Sequence, residues 1–142
     1  MKGEIIMPLL KEYKILISHS WDYDEQYQTV IGWLKDAKNF TCKDYSVPFS
    51  RALDVNSKRE LKQKIRNRIS HCNSVIILSG MYVPYSEWID FEIDTAVELE
   101  KPIIGVKPWG QQRIPAKVQD NAAVMVGWNS ASVVKAVREY SL

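Results

Sequence analysis

The sequence is sparing in the features that mark many functional classes. Two cysteines, Cys42 and Cys72, in 142 residues make neither a disulfide framework nor a metal cluster. A reducing cytoplasm is the simplest setting for such a chain. No metal-ligand spacing appears, and no metal is expected. There is no GxGxxG or Walker loop for dinucleotides or ATP bound in the usual way, and no GxSxG elbow for a hydrolase serine. A net charge of +2 gives no argument for nucleic acid or an anionic membrane as partner. No apolar run approaches the roughly 20 residues of a membrane span. Residues 1–12, broken by Pro8, lack the long apolar region of a signal peptide and read as a lead-in to one domain over 13–142. Repeats, low-complexity tracts and interdomain linkers are absent as well.

What is there is an ordinary globular composition, 46% hydrophobic and 25% charged, enough for a single core. Tyr13 to Ser18 is a short apolar, β-branched run and predicts strand one. Asp22 to Ala37 predicts a helix with the stripe Tyr27, Val30, Ile31, Leu34 and Ala37, capped by Asp22 with Glu25 three residues on. Phe40 to Tyr45 alternates weakly, as an edge strand does. Ser57-Lys58-Arg59-Glu60 is a capping box opening a helix that buries Leu61, Ile65 and Ile69. Ser74 to Gly80 has a continuous apolar centre, the mark of a strand covered on both faces in a parallel sheet. A helix follows from Ser86 to Leu99, then a strand from Pro102 to Lys107. After a polar stretch with weak helical signal comes a fifth strand, Ala122 to Trp128. Asn129 or Ser130 caps a last helix carrying Val133, Val134, Ala136, Val137 and Tyr140. Strands alternating with helices predict a doubly wound α/β domain. Right-handed crossovers favour the flavodoxin-like strand order 2-1-3-4-5.

Glu92 breaks the pattern of its own helix. At about 100° per residue, Glu87, Asp90, Asp94 and Glu98 cluster on one side, the solvated face. Glu92 projects to the other side, among Trp88, Ile89, Ala96 and Leu99. A carboxylate in an apolar arc is costly unless it is paired or stands at the mouth of a cavity. It either meets a Lys or Arg at the edge of the core or belongs to a site.

Fold topology favours the site. In such sheets ligands bind beyond the carboxyl ends of the strands at the switch point, here between strands one and three. The loops there carry Ser18, His19, Ser20 and Asp22, and Ser79 with Tyr82. Phe49, Ser50 and Arg51, in the loop from Ser46 to Asn56, can fold over the same rim. Ser18 and Ser20 offer hydroxyls for a phosphate or, alternatively, a helix cap. His19 is either a hydrogen-bonded strand-end residue or a participant. His71 is expected to satisfy carbonyls at the end of its helix. Trp88 lies one turn before Glu92, so the two can meet. The basic run Lys58, Arg59, Lys62, Lys64, Arg66 and Arg68 interleaves with Leu61, Ile65 and Ile69, as a solvated helix face does.

Three stretches together resemble a TIR domain, in particular the bacterial Thoeris ThsB-like (TIR-like) anti-phage defence family. They are Ile15-Leu16-Ile17-Ser18-His19-Ser20 with Asp22, the third strand ending in Ser79, and Ser86-Glu87-Trp88-Ile89-Asp90-Phe91-Glu92-Ile93. The last is similar to the TIR pattern in which a Trp precedes the key Glu by four residues. The resemblance covers about Tyr13 to Tyr140.

The resemblance implies an enzyme that cleaves NAD between nicotinamide and ribose, an NAD glycohydrolase or ADP-ribosyl cyclase with Glu92 as its single catalytic carboxylate. NAD is then substrate, and no cofactor is expected. Ser18, His19, Ser20, Asp22, Phe49, Ser50, Arg51, Ser79, Tyr82 and Trp88 would line the substrate site, with Trp88 or Tyr82 shielding the reacting cation from water. The product would be ADP-ribose or a cyclic ADP-ribose-type signal. The resemblance, not the residues, further implies self-association on activation, a phage-derived trigger and a separate effector that senses the product. A non-catalytic TIR-like assembly module is the competing reading, and a nucleotide or flavin binder of the same fold a third.

Overall fold

Val75, Ile76, Ile77 and Leu78 are each fully buried, as a continuous apolar run requires of a strand covered on both faces. They form the centre of the sheet. The structure, a computed structural model, describes residues 11–18, 25–46, 58–81, 86–107 and 114–142. In chain order its elements are β1 (Glu12–Ser18), α1 (Glu25–Asp36), β2 (Thr41–Asp44), α2 (Lys58–Ser70), β3 (Ser74–Leu78), a 3-10 turn (Ser79–Met81), α3 (Ser86–Glu98), β4 (Ile103–Val106), α4 (Ala116–Asn121), β5 (Val124–Val126) and α5 (Ser130–Tyr140). All strand pairs are parallel, and the order is β2-β1-β3-β4-β5. This is the predicted flavodoxin-like order, with β2 at the edge. No described helix is long and apolar enough to cross a membrane.

Alternation along the strands divides the core into two layers. Leu16, Val75, Ile77 and Ile103 face Leu61, Ile65 and Ile69 of α2, Ile89, Ile93 and Ala96 of α3, and Val118 of α4. Ile15, Ile17, Ile76, Leu78, Ile104 and Val106 face Val30, Ile31 and Leu34 of α1 and Val133, Ala136 and Val137 of α5. Burying each large aliphatic side chain contributes roughly 1.5–3 kcal/mol, so these two layers dominate the stability of the sheet.

Several elements are shorter than the sequence predicts, and ladder partners explain why. β3 stops at Leu78 rather than Gly80 because Leu78 pairs with Val106, the last residue of β4. Ser79 then turns away, and its hydroxyl donates to the Val106 carbonyl at 3.1 Å. β5 is confined to Val124–Val126 because β4 offers it only Ile104, Gly105 and Val106. The polar connection before β5 contains a short helix, α4, anchored by the fully buried Val118. Asn129 is the cap of α5, its side chain accepting the Ser132 N–H at 2.8 Å. The predicted caps Asp22 and Ser57 lie outside the described residues.

The basic run on α2 meets the acidic face of α3. Lys58 pairs with Glu87 at 3.1 Å and Arg66 with Glu98 at 2.6 Å, and Lys62 stands over the Phe91 ring at 5.4 Å. These exposed pairs add little each, but they assign the run to a helix–helix seam. At the end of α2, the Arg68 carbonyl accepts the backbone N–H of His71, whose ring stacks on Tyr45.

Candidate functional site

Ser18 is the last residue of β1, and α3 enters above the neighbouring β3, so the carboxyl edge of the sheet at its switch point is where the two come together. Strand parity decides which way Ser18 faces. It follows Leu16 by two residues and therefore points to the α2/α3 side. It is fully buried, and its Oγ has no hydrogen-bond partner of ordinary geometry.

Glu92 stands on that same side. Its neighbours on α3, Ile89, Ile93 and Ala96, are buried in the core. Glu92 itself is partly buried. Burial pushes its pKa up to about 7 from an ordinary 4.5, and the nearby Ser18 hydroxyl pulls it back down. Trp88, one turn earlier, is partly buried and packs against the same core layer. The other α3 carboxylates point elsewhere and have cations: Glu87 and Glu98 as above, and Asp94 and Asp90 with Lys117 at 2.8 and 3.7 Å.

The structure therefore sets Ser18 at the end of β1 facing the α2/α3 layer, Glu92 and Trp88 on α3, and Ser79 just past the end of the adjoining β3, its hydroxyl donating to the Val106 carbonyl. His19, Ser20, Asp22, Phe49, Ser50, Arg51 and Tyr82 lie outside the described residues, as does the Ser46–Asn56 loop beyond Ser46.

Two residues at this edge escape a sequence reading. The Ser46 hydroxyl accepts the Ile17 N–H at 2.8 Å, while its own N–H donates to Asp44 Oδ1 at 2.8 Å. The other oxygen of Asp44 accepts the Tyr27 hydroxyl of α1. This chain of bonds holds the end of β1 beside β2. Gln26, in the first turn of α1, has a buried Oε1 with no partner. Only its spacing, four residues before the buried Val30, marked it as core-facing.

A family model for the TIR-like domain of Thoeris protein ThsB matches residues 16–113. The chain belongs to this TIR-like family. The matched stretch of the ThsB TIR-like domain includes Ser18, Ser79, Trp88 and Glu92. None of the curated proteins matches in sequence. Among solved structures, the Clostridium botulinum CMP N-glycosidase BcmB is similar, with a TM-score of 0.57 and 14% identity over 89% of this chain and 98% of that one. A de novo designed Rossmann 2x3 protein aligns with a TM-score of 0.51 and 12% identity, over 90% of this chain and 87% of that one. At such identities these likenesses show the α/β fold.

Proposed function

We propose that this ThsB-type TIR-like domain cleaves the N-glycosidic bond of NAD, with Glu92 as its catalytic carboxylate. The observation that carries the reading is a single carboxyl, buried at the switch-point edge of a parallel sheet and without a cation among the described residues. Buried carboxyls with raised pKa in a crevice are candidates for chemistry. Nicotinamide in NAD is a cationic leaving group, so no acid must protonate it. The C1′–N bond breaks, and its electron pair goes to the ring nitrogen, giving neutral nicotinamide. The ribosyl centre becomes oxocarbenium-like, as in other glycosyl transfers. A carboxylate held there stabilises that charge, at a site where the low dielectric strengthens the interaction. Water then adds, releasing a proton and giving ADP-ribose. If water is excluded, a hydroxyl or adenine nitrogen of the same molecule adds instead and gives a cyclic product. BcmB, named a CMP N-glycosidase, lends the fold a precedent for N-glycosidic cleavage and makes CMP a useful comparison substrate.

The wider proposals follow the family. The ThsB-type chain would act in anti-phage defence, self-associate on activation, and signal through its product to a separate effector. A non-catalytic assembly role is the alternative. The test is incubation with NAD at high protein concentration, beside Glu92→Gln, with chromatography of nicotinamide and any ADP-ribose product. Nicotinamide release by the wild type alone supports the enzyme. Equal release by both proteins removes Glu92 from the mechanism, and assembly that survives Glu92→Gln without turnover by either protein favours the module.

A further inference from the structure

The seam with α3 accounts for Lys58, Lys62 and Arg66 of the basic run on α2, but not for Arg68. Leu61, Ile65 and Ile69 are the buried stripe of α2. At about 100° per residue, Lys62 and Arg66 lie to one side of that stripe and Lys64 and Arg68 to the other. There Arg68 meets the edge of the sheet, its guanidinium carbon 5.9 Å from the centre of the Tyr45 ring. Lys43 Nζ stands 5.4 Å from the same centre, and the His71 ring stacks on it at 6.2 Å. Lys14 is a third cation. It is the register partner of Lys43. Lys14 shares the parity of Leu16, and Lys43 that of Tyr45, so both point to the α2 side. Like charges directly opposite on neighbouring strands destabilise a sheet. Nearby acids do not neutralise the group. Glu12, two residues before Lys14 on the same side, forms no ion pair with either lysine, and Glu60 is more than two turns before Arg68. Asp44 turns to α1, where Tyr27 takes it. Lys14, Lys43 and Arg68 thus have no acidic partner among the described residues.

We propose that Lys14, Lys43, Arg68 and His71 form a second binding site, for a small oligophosphate anion, on the β2 side of α2. The donors fit that chemistry. Arg68 presents a planar fork that binds phosphate oxygens in pairs, each lysine is a compact charge with three donors, and the imidazole adds an N–H. A lone carboxylate has two oxygens and one charge, and Arg68 alone would satisfy it. A short phosphate chain has oxygens and charge for all the donors. The Tyr45 ring holds the Lys43 and Arg68 head groups at the edge before any ligand arrives, which lowers the cost of ordering them. A bound anion also removes the repulsion between Lys14 and Lys43. A nucleic acid fits less well, because it needs a basic track. Here Arg66 is turned to Glu98 and Lys62 to Phe91, and the chain carries a net charge of only +2. The site does not depend on the reading of Glu92, which stands on α3, beyond the opposite side of α2.

The test is an amide NMR titration of the full chain with sodium tripolyphosphate at fixed ionic strength, beside ATP, which carries the same phosphate chain, and a thymidine oligonucleotide. The proposal expects one saturable site, with shifts centred on Lys43, Tyr45 and His71. Affinity for tripolyphosphate should fall about tenfold in Lys43→Gln and in Arg68→Gln, the usual worth of a charge-assisted bond. It should change less than about twofold in Arg66→Gln, whose cation the same helix turns to Glu98. Lys43 is exposed, so Lys43→Gln should fold. Without ligand its Tm should match or exceed that of the wild type, since a repulsion is gone, and tripolyphosphate should raise it less. Equal affinity for tripolyphosphate and ATP assigns the phosphate chain as the ligand, and tighter ATP adds a nucleoside to it; both support the site. Absence of saturable binding overturns the proposal. So do shifts centred on Ser18 and Ser79, which mark the switch-point crevice, and equal weakening by Arg66→Gln, which marks diffuse attraction. Tighter binding of the oligonucleotide than of tripolyphosphate overturns it too, in favour of a nucleic-acid surface.

Discussion

The Ser46 hydroxyl accepts the backbone N–H of Ile17 at 2.8 Å, just past the end of β2. The β1–β2 ladder pairs Ile15 with Asp44, and the Tyr45 N–H donates to the Ile15 carbonyl at 2.7 Å. In effect a side chain extends the ladder by one step and sets the position of Ser18, the next residue. Ser46→Ala should lower stability by about 1 kcal/mol, the usual net worth of such a bond. It should also reduce nicotinamide release more than that loss of folded protein explains. Chemical denaturation beside an activity assay at matched folded fraction checks both. Unchanged specific activity would separate Ser46 from the site.

Glu92 should make the protein less stable as pH rises. Its folded pKa is about 7 and its ordinary value 4.5, so the folded state holds a proton that the unfolded state has lost. Between these two values stability falls with increasing pH, and above about 7 the cost is complete, at roughly 3 kcal/mol. Glu92→Gln should therefore stabilise the fold at pH 8 by up to roughly 3 kcal/mol and change it little at pH 4.5. Denaturant midpoints across that range provide the measurement. A constant difference between the two proteins at all pH values would show that the carboxyl is not held in the protonated form.

Glu100 holds a left-handed backbone, φ 57°, at the end of α3. The Lys101 N–H donates to the Ala96 carbonyl at 2.8 Å and the Glu100 N–H to Val97 at 3.1 Å. This bonding is that of a Schellman motif, whose left-handed residue is usually glycine. Glu100→Gly should raise stability by about 0.5–1 kcal/mol, relief of the left-handed strain exceeding the added chain entropy. Thermal melts would show it, and a lower Tm would contradict it. Because Glu100 lies beyond the end of α3 and Glu92 at its middle, NAD turnover per folded molecule should not change.

Gly105 is fixed by its cross-strand partner. A Cβ placed there would lie 2.2 Å from Met125 Sδ and 2.7 Å from its Cε. Methionine can move, but only by giving up its place over β4. Gly105→Ala should destabilise by about 1–2 kcal/mol, and Met125→Ala in the same chain should cost less than it does alone. A double-mutant cycle of unfolding free energies decides; strict additivity would mean that the two side chains do not compete for the same space.

Much of the architecture was written in the chain's periodicities. The apolar run Val75 to Leu78 demanded a strand buried on both sides. The spacing of Leu61, Ile65 and Ile69 demanded a helix with one apolar stripe, and alternation of strands with helices left few topologies. Glu92 was legible for the same reason, as a charge out of phase with its own helix. Element ends were not, because the length of β3 or β5 is set by how many residues its neighbour offers. Nor was Ser46, since a serine after an edge strand carries no periodic signal. His71 illustrates the same limit, its ring being claimed by Tyr45 across the chain.

By itself the sequence determined the fold class, the strand order and the one carboxylate that stands against its surroundings, because each follows from local periodicity and the few ways of winding parallel strands. Only the tertiary structure decided that the Ser18 hydroxyl is buried without a partner, that the α2 cations Lys58 and Arg66 belong to α3, and that burial raises the Glu92 pKa. These depend on which groups distant in sequence share a low-dielectric space, and the chain's local pattern does not contain that information.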